Sequence, residues 1–143
     1  MNPFSDELML RQGAIFRLMH EFDDEGEKYR FFIILNYNPQ SDKIIVLVTT
    51  TTQLAKLERR YRKDRPSPLV YISPSDCDAF TERCVANCKV VEWRNRDDLL
   101  ANMKRKRHKF VGSLPDAKLQ EIHNYIAQAQ SISLSLKALI LEQ

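Results

Sequence analysis

Two short apolar segments form the clearest hydrophobic pattern in the chain. Residues 31–35 read FFIIL and residues 44–48 read IIVLV, and aromatic and β-branched residues of this kind favour strands. Neither segment alternates with polar residues, so we expect both faces of each strand to be buried. The loop between them is rich in Asn, Pro, Ser and Asp, which is typical of turns. The pattern therefore predicts a hairpin of two central antiparallel strands.

Weaker segments of the same type predict further strands around this hairpin. The loop that connects the predicted strand at residues 14–20 to the hairpin is acidic and should be exposed. A turn or bulge is expected at Asn87, and Gly112 is expected to turn the chain after the last strand. The predicted strands are residues 14–20, 69–72, 110–111 and two short strands within 80–93.

Helical patterns occur at the ends of the chain and between the strands. Short helices are predicted at residues 5–12, 54–61 and 94–102. A longer helix is predicted after a Ser113-x-x-Asp116 capping pattern, with an apolar stripe that faces the sheet. That stripe consists of Leu119, Ile122, Ile126 and Ala129. Beyond Ser131, the apolar residues fit a strand and a helix equally well.

Length and composition restrict the class of protein. The 143 residues predict a single domain, 1–143, that is mainly β with a C-terminal helix. No apolar run is long enough to cross a membrane, and the N-terminus does not resemble a signal peptide, so a cytoplasmic location is expected. Three cysteines without C-x-x-C spacing are expected to be reduced and buried. No Asp, Glu and His cluster has ligand spacing, so neither a metal nor another cofactor is expected.

The charges are segregated, although the net charge is only +3. Acidic residues are concentrated at residues 21–27, whereas basic residues are concentrated at 56–65 and 104–109. Each basic run by itself is compatible with an ordinary solvated surface. Two such runs, together with Arg30, favour a polyanionic partner such as nucleic acid.

One end of the central hairpin carries side chains suited to phosphate binding. Lys28 and Arg30 lead into the first strand, and four threonines, residues 49–52, follow the second. In an antiparallel hairpin these two ends lie at the same edge of the sheet. A guanidinium and several hydroxyls can together bind a phosphate. The alternative is that Arg30 is a solubilising residue beside a buried strand and that the threonines reflect β propensity alone.

The order of these motifs resembles that of the MazF/PemK/Kid-like toxins of bacterial type II toxin–antitoxin pairs. The similar pieces, over residues 13–136, are Gly13-Ala14-Ile15, Lys28-Tyr29-Arg30-Phe31, the strand IIVLVTTTTQ, residues 81–88 and Gly112-Ser113-Leu114 before the last helix. Three features differ from the family pattern. Phe31 stands where a Pro normally follows the Arg, residues 54–68 resemble a basic insertion, and residues 94–109 are longer and more basic than expected.

The resemblance implies a small SH3-like antiparallel barrel with a packed helix, a homodimer, an antitoxin partner and RNA cleavage without a metal. It also implies that Arg30 is the catalytic arginine and Thr51 the catalytic threonine, with Thr50 and Thr52 as alternatives to Thr51. An acidic antitoxin segment would compete with RNA for the same groove.

Cleavage without a metal requires the 2′-hydroxyl of RNA to attack the adjacent phosphorus. Arg30 suits stabilisation of the phosphate charge, and Thr51 suits positioning of a phosphate oxygen. Glu27 or Glu25 is the expected general base, with His20 and His108 as alternatives. Lys28 and the basic run are expected to bind RNA phosphates, and residues 59–63 are further candidates. Tyr29 and Tyr37 are available for base stacking, but packing in the barrel is the alternative for both and the preferred one for Tyr29. The run comprises Lys104, Arg105, Lys106, Arg107 and His108.

Two other functions fit the sequence. One is an SH3-like module that binds nucleic acid or protein without catalysis. The other is a toxin of the same barrel type that acts on a protein such as DNA gyrase. Salt-sensitive RNA binding without scission would favour the first, and growth arrest with intact cellular RNA would favour the second.

Overall fold

The computed structural model describes residues 9–22, 26–106 and 108–141, and for 18–22, 26–29 and 106 the backbone alone. The described residues form seven strands and four helices. In chain order they are β1 (Ala14–Phe22), β2 (Gly26–Ile34), β3 (Ile44–Thr51), α1 (Leu54–Arg60), β4 (Leu69–Ile72), β5 (Cys84–Asn87), β6 (Glu92–Asn95), α2 (Arg96–Lys106), β7 (Lys109–Ser113), α3 (Asp116–Gln128) and α4 (Leu134–Ile140). The predicted class, mainly β with C-terminal helix, is confirmed.

The sheet is antiparallel and has the order β4-β5-β3-β2-β1-β7, with β6 also paired to β3. The predicted hairpin is confirmed, since Phe32, Ile33 and Ile34 pair with Thr49, Val48 and Leu47. Backbone ladders do not close the sheet within the described residues, where β4, β6 and β7 each pair with one strand only. The sequence predicted a barrel, but the hydrogen-bonded strands of the described residues form an open sheet.

Both faces of the central hairpin are buried, as the absence of alternation predicted. Ile33 and Val48 belong to a core cluster on one face, which α3 covers with Ile122 and Ile126. Ile34, Phe32 and Leu47 belong to a second cluster, on the other face, which α2 covers with Leu99 and Met103. Full burial of such side chains contributes about 1.5–3 kcal/mol each. The two layers therefore hold the hairpin from both sides.

The basic run lies on a helix, and this differs from the sequence prediction. A brief helix was expected to end near residue 102, but α2 continues through Lys106. Its start is stabilised by Asn95, whose Oδ1 accepts hydrogen bonds from the backbone N–H groups of Asp97 and Asp98 at 2.9 and 3.2 Å. Leu99 and Met103, one turn apart, bury the inner side of α2. That contact keeps the last turn helical.

The turns around β7 also differ from the prediction. Gly112 lies within β7 opposite Ile15 and does not turn the chain. The register shifts between Ile15 and Phe16, so the unpaired residue Val111, directly before this glycine, forms a bulge. A Cβ on Gly112 would lie 3.2 Å from the Cβ of Ala79. The capping pattern at Ser113 is wrong, because Ser113 ends β7 and α3 begins after Pro115 without a side-chain cap.

The C-terminal segment is helical. α4 begins after Ser133, whose Oγ accepts a hydrogen bond from the Leu136 N–H at 3.2 Å. Ile132 and Ile140 are buried in the same core cluster as α3, and the predicted stripe of α3 packs there. The helical turn predicted at residues 5–12 lies largely outside the described residues.

Candidate nucleic-acid interface

Arg30 lies in the outer half of β2, where the structure places its exposed side chain beyond the buried part of the strand. Its backbone is opposite Leu18 of β1. On the other side, the ladder with β3 begins at the pair of Phe32 and Thr49. Arg30 precedes Phe32 by two residues and Thr51 follows Thr49 by two, so both lie at the same end of the hairpin. Strand alternation puts all four on one face of the sheet.

The four threonines differ in how deeply their side chains are buried. Thr50 is buried and its side chain hydrogen-bonds the Cys84 thiol. Thr51 is half-buried, and its Oγ1 accepts a hydrogen bond from the Gln53 N–H at 3.2 Å. Thr52 is exposed and follows the strand. Because the Thr50 hydroxyl is engaged in the core, Thr51 stays the prediction for the site.

The other candidates near the hairpin are placed by their backbone. Glu27 and Lys28 lie in β2 opposite Glu21 and His20 of β1. Both precede Arg30 and are nearer the start of the strand. Glu25 lies outside the described residues. Strand pairing therefore brings Lys28 and Glu27 to the same end of the sheet as Arg30, without fixing their side chains.

The basic run approaches the same face of the sheet from α2. Lys104 and Arg105 are exposed in the last turn of the helix, where positive charge complements the helix dipole. The Arg105 Nη2 donates a hydrogen bond to the Asn102 Oδ1 at 2.5 Å. Lys106 ends α2, and Arg107 lies outside the described residues. His108 is half-buried, and its backbone N–H donates to the Met103 carbonyl at 2.9 Å.

The core explains why α2 and Arg30 belong to one surface. Met103 of α2 packs in the cluster that contains Phe16 and Phe32. Phe32 is on the same face of β2 as Arg30, and the chain leaves α2 directly into β7, which pairs with β1. The candidate interface comprises the ends of β2 and β3, the end of α2, and β7.

Tyr37 does not lie at this interface. Its backbone N–H donates to the Leu139 carbonyl at 2.8 Å, which places it beside α4 at the opposite end of β2. Seven residues of extended chain separate it from Arg30, roughly 23 Å. The tyrosine prediction therefore rests on Tyr29, which is opposite Met19 in the ladder. The sequence reasoning overlooked an exposed aromatic residue, Phe110, directly after the basic run.

All three cysteines are free and buried, as predicted. Burial raises the pKa of Cys84 to about 11, although the hydrogen bond from Thr50 acts in the opposite direction. Burial also raises the pKa of Cys88 to about 12. Neither thiol is therefore suited to act as a nucleophile near neutral pH.

We expect Cys84 and Cys88 to resist alkylation in the native protein. At pH 8 a pKa of about 11 leaves about one thiolate in a thousand. Iodoacetamide labelling followed by peptide mass spectrometry should show slow modification of both thiols in buffer and rapid modification in denaturant. Native labelling of Cys84 at the rate seen in denaturant would contradict its burial.

Within residues 9–22, 26–106 and 108–141, no cluster of three or more His, Cys, Asp or Glu could hold a metal ion. In the same part of the chain, no helix is long and apolar enough to span a membrane.

Sequence comparison and structure comparison give different results. No protein-family model matches the chain, and no curated protein sequence matches it. Its structure is similar to a chain in the crystal structure of MazE–MazF (form III) from Deinococcus radiodurans, with a TM-score of 0.53 and 12% sequence identity. The chain has a MazF-like fold. The similarity covers 87% of this chain and 99% of the other, so it includes nearly all of the MazF-like architecture.

Proposed function

We propose that this protein is the toxin of a type II toxin–antitoxin pair and a metal-independent endoribonuclease that cuts single-stranded RNA, including mRNA, in the cytoplasm. The observation that carries the proposal is the MazF-like fold with Arg30 and Thr51 at one end of the β2–β3 hairpin. The basic end of α2, which reaches the same face of the sheet, supports RNA as the substrate.

The proposed reaction breaks one P–O bond and forms another. The 2′-hydroxyl attacks the adjacent phosphorus, a base takes its proton, and the 5′-oxygen leaves with a proton supplied by an acid or by water. The products are a 2′,3′-cyclic phosphate and a 5′-hydroxyl. Glu27 is the base that we propose, and Arg30 stabilises charge on the phosphate because its planar guanidinium can bind two oxygens. Thr51 donates a hydrogen bond to a phosphate oxygen and positions it.

RNA phosphates on either side of the cut are proposed to contact two cationic regions. The first is Lys28 with the basic run Lys104, Arg105, Lys106, Arg107 and His108. The second is the exposed α1 region, in which Arg59, Arg60, Arg62 and Lys63 follow Thr51 after a short connection. Single-stranded RNA suits such a surface because its phosphates can follow charges that are not arranged for a duplex.

The proposed partners are an antitoxin and a second copy of this chain. An acidic antitoxin segment would bind the cationic face and exclude RNA by competition. The MazE–MazF complex that contains the similar chain supports an antitoxin as partner. The homodimer rests on the resemblance to the toxin family.

The test is cleavage of a long single-stranded RNA by the purified protein in chelator, with mapping of the new ends. Discrete cuts with 5′-hydroxyl ends would support the proposal and identify the preferred sequence. Intact RNA with salt-sensitive binding would point to the non-catalytic binding module. Intact cellular RNA during growth arrest would point to a toxin with a protein target.

Removing two charges at the end of α2 should reduce the salt dependence of RNA binding. For single-stranded RNA, log K falls with log salt concentration with a slope of about −0.7 per phosphate contact, so each lost contact makes this slope less steep by about 0.7. The double variant Lys104→Gln/Arg105→Gln should therefore make the slope less steep by about 1.4. Fluorescence anisotropy with a labelled oligonucleotide, from about 50 to about 300 mM salt, measures the slope.

A control with the same net charge is available on the opposite face. Lys118 of α3 forms ion pairs with Asp76 and Glu121, and Lys137 lies on α4. The variant Lys118→Gln/Lys137→Gln should leave the slope close to that of the wild type. Equal slopes for the two double variants would mean that net charge, and not the α2 surface, determines binding.

A further inference from the structure

Phe110 is an exposed aromatic residue on a rigid support. It lies in β7, an edge strand of the described sheet, and 40% of its surface is exposed. Its ring packs edge-to-face against Phe16, with centroids 5.7 Å apart and an interplanar angle of 69°. Phe16 in turn stacks on Phe32 at 5.3 Å and 15°. The three rings form a row across β7, β1 and β2, and the buried pair fixes the exposed ring.

The end of α2 brings positive charge to the face of the sheet that carries Phe110. Lys104 and Arg105 are exposed there, and Met103 of the same helix packs in the cluster that contains Phe16. Lys109 precedes Phe110 in β7 and is also exposed, although strand alternation directs its side chain to the other face. An exposed apolar ring among positive charges is unsuited to an apolar protein partner, because docking would desolvate the ammonium and guanidinium groups. A flat ring beside cations is instead the arrangement that binds single-stranded nucleic acid, in which bases stack and phosphates pair.

The row of rings also relates Phe110 to Arg30. Phe110 is opposite Phe16, Phe16 is opposite Phe32, and Arg30 precedes Phe32 by two residues on the same face. Two strand spacings of about 4.8 Å and two residues of about 3.3 Å put the two Cα atoms roughly 12 Å apart. A few nucleotides of extended single strand can span this separation.

We propose that Phe110 is a base-stacking residue that binds one base of single-stranded RNA a few nucleotides from the phosphate held by Arg30. The position relative to the cut rests on the proposed function, whereas stacking itself does not require cleavage. Phe16 supports the exposed ring from the core through their edge-to-face contact.

The test is binding of the wild-type and variant proteins to a mixed-sequence 2′-O-methyl oligoribonucleotide, which lacks the attacking hydroxyl and cannot be cut. Phe110→Leu keeps an apolar side chain on Phe16 but removes the flat ring, and should weaken binding about 5- to 100-fold. Phe110→Trp should bind at least as tightly as the wild type. Trp93→Leu, at an aromatic residue that is 56% exposed on β6, is the matched control and should leave affinity unchanged.

A second measurement separates stacking from a structural effect. In a Trp93→Phe background, which lacks other tryptophans, Phe110→Trp should lose indole fluorescence when the oligonucleotide binds. One abasic position should weaken binding by the wild type and leave binding by Phe110→Leu unchanged, because the contact is already lost. Thermal melting of each variant verifies folding.

The outcomes distinguish this proposal from the proposed function. Phe110-dependent binding with no cleavage of unmodified RNA would support stacking and reject the ribonuclease. Cleavage with equal affinities for wild type and Phe110→Leu would support the ribonuclease and overturn stacking. Absence of oligonucleotide binding by the folded wild type would overturn stacking as well.

Discussion

Arg30→Ala is expected to lower RNA cleavage by about 100- to 1,000-fold while the protein remains folded. The magnitude is that of removing one preorganised group that stabilises transition-state charge. Arg30 is exposed, so its truncation should shift the melting temperature by no more than a few degrees. Single-turnover cleavage with excess protein measures the effect on the chemical step. Undiminished cleavage by Arg30→Ala would reject the role assigned to this residue.

Two variants show whether the effect depends on geometry and position. Arg30→Lys keeps the positive charge but loses the planar fork, so its rate should lie between those of the wild type and Arg30→Ala. Arg94→Ala is the control, because Arg94 is an exposed arginine far from the candidate site. It is opposite Ile45, and Ile45 precedes Thr51 by six residues on β3, which separates their Cα atoms by roughly 20 Å. Its cleavage rate should match the wild type.

Asn36→Ala is expected to lower the free energy of unfolding by about 2–4 kcal/mol, since it leaves buried polar groups without partners. The Asn36 side chain is completely buried just after β2. Its Nδ2 donates to the Asp42 Oδ2 and to the Ile44 carbonyl, both at 2.8 Å, and its Oδ1 accepts from the Val46 N–H at 2.6 Å. These bonds close the hairpin loop and hold the start of β3. Urea denaturation followed by circular dichroism measures the loss.

Asn36→Asp tests the direction of these hydrogen bonds. The carboxylate would still accept from Val46, but it would face the Ile44 carbonyl and the Asp42 carboxylate, so it should be at least as destabilising as Asn36→Ala near neutral pH. Asn38→Ala, at an exposed amide in the same loop, is the matched control and should change stability by less than about 0.5 kcal/mol. Equal effects at both positions would contradict the role given to Asn36.

The loop closed by Asn36 matters for the candidate interface although it lies at the opposite end of the hairpin. The pairing of Phe32 with Thr49 fixes where Arg30 and Thr51 lie, and a slip of one residue would exchange the faces of the sheet. Asn36 bonds both to the loop and to Val46, so it helps to specify this register. Its amide is a recognisable turn residue in the sequence, but its partners depend on tertiary structure.

Much of the architecture follows from local patterns. Continuous apolar runs at 31–35 and 44–48 predicted two strands covered on both faces, and the structure places α2 and α3 on those faces. The stripe of Leu119, Ile122, Ile126 and Ala129 predicted the packed helix because helical periodicity is strong over a long segment. The order of the motifs indicated the MazF-like fold, whereas sequence comparison gave no match.

Other features could not be predicted, because they depend on contacts between distant residues. The apolar signal of α2 is short and consists of Leu99, Leu100 and Met103, so the helix and its basic end depend on docking against the cluster that contains Phe16 and Phe32. The apolar residues of 134–140 fit the periodicity of a strand and that of a helix. The helix forms because it lets Ile140 pack in the cluster that contains the buried residues of α3. Threonine spacing alone did not separate Thr50 from Thr51, because burial on one face of β3 distinguishes them.

The sequence by itself determined the mainly β class, the central hairpin, the C-terminal helix and the residue types of the candidate phosphate site, since these depend on local periodicity and side-chain chemistry. Only the tertiary structure decided which residues share a surface. Strand register brought Arg30 and Thr51 to one end of the hairpin, moved Tyr37 to the other, and aligned Phe110 with Phe16 and Phe32. Register and docking are properties of paired segments, and they are not contained in either segment alone.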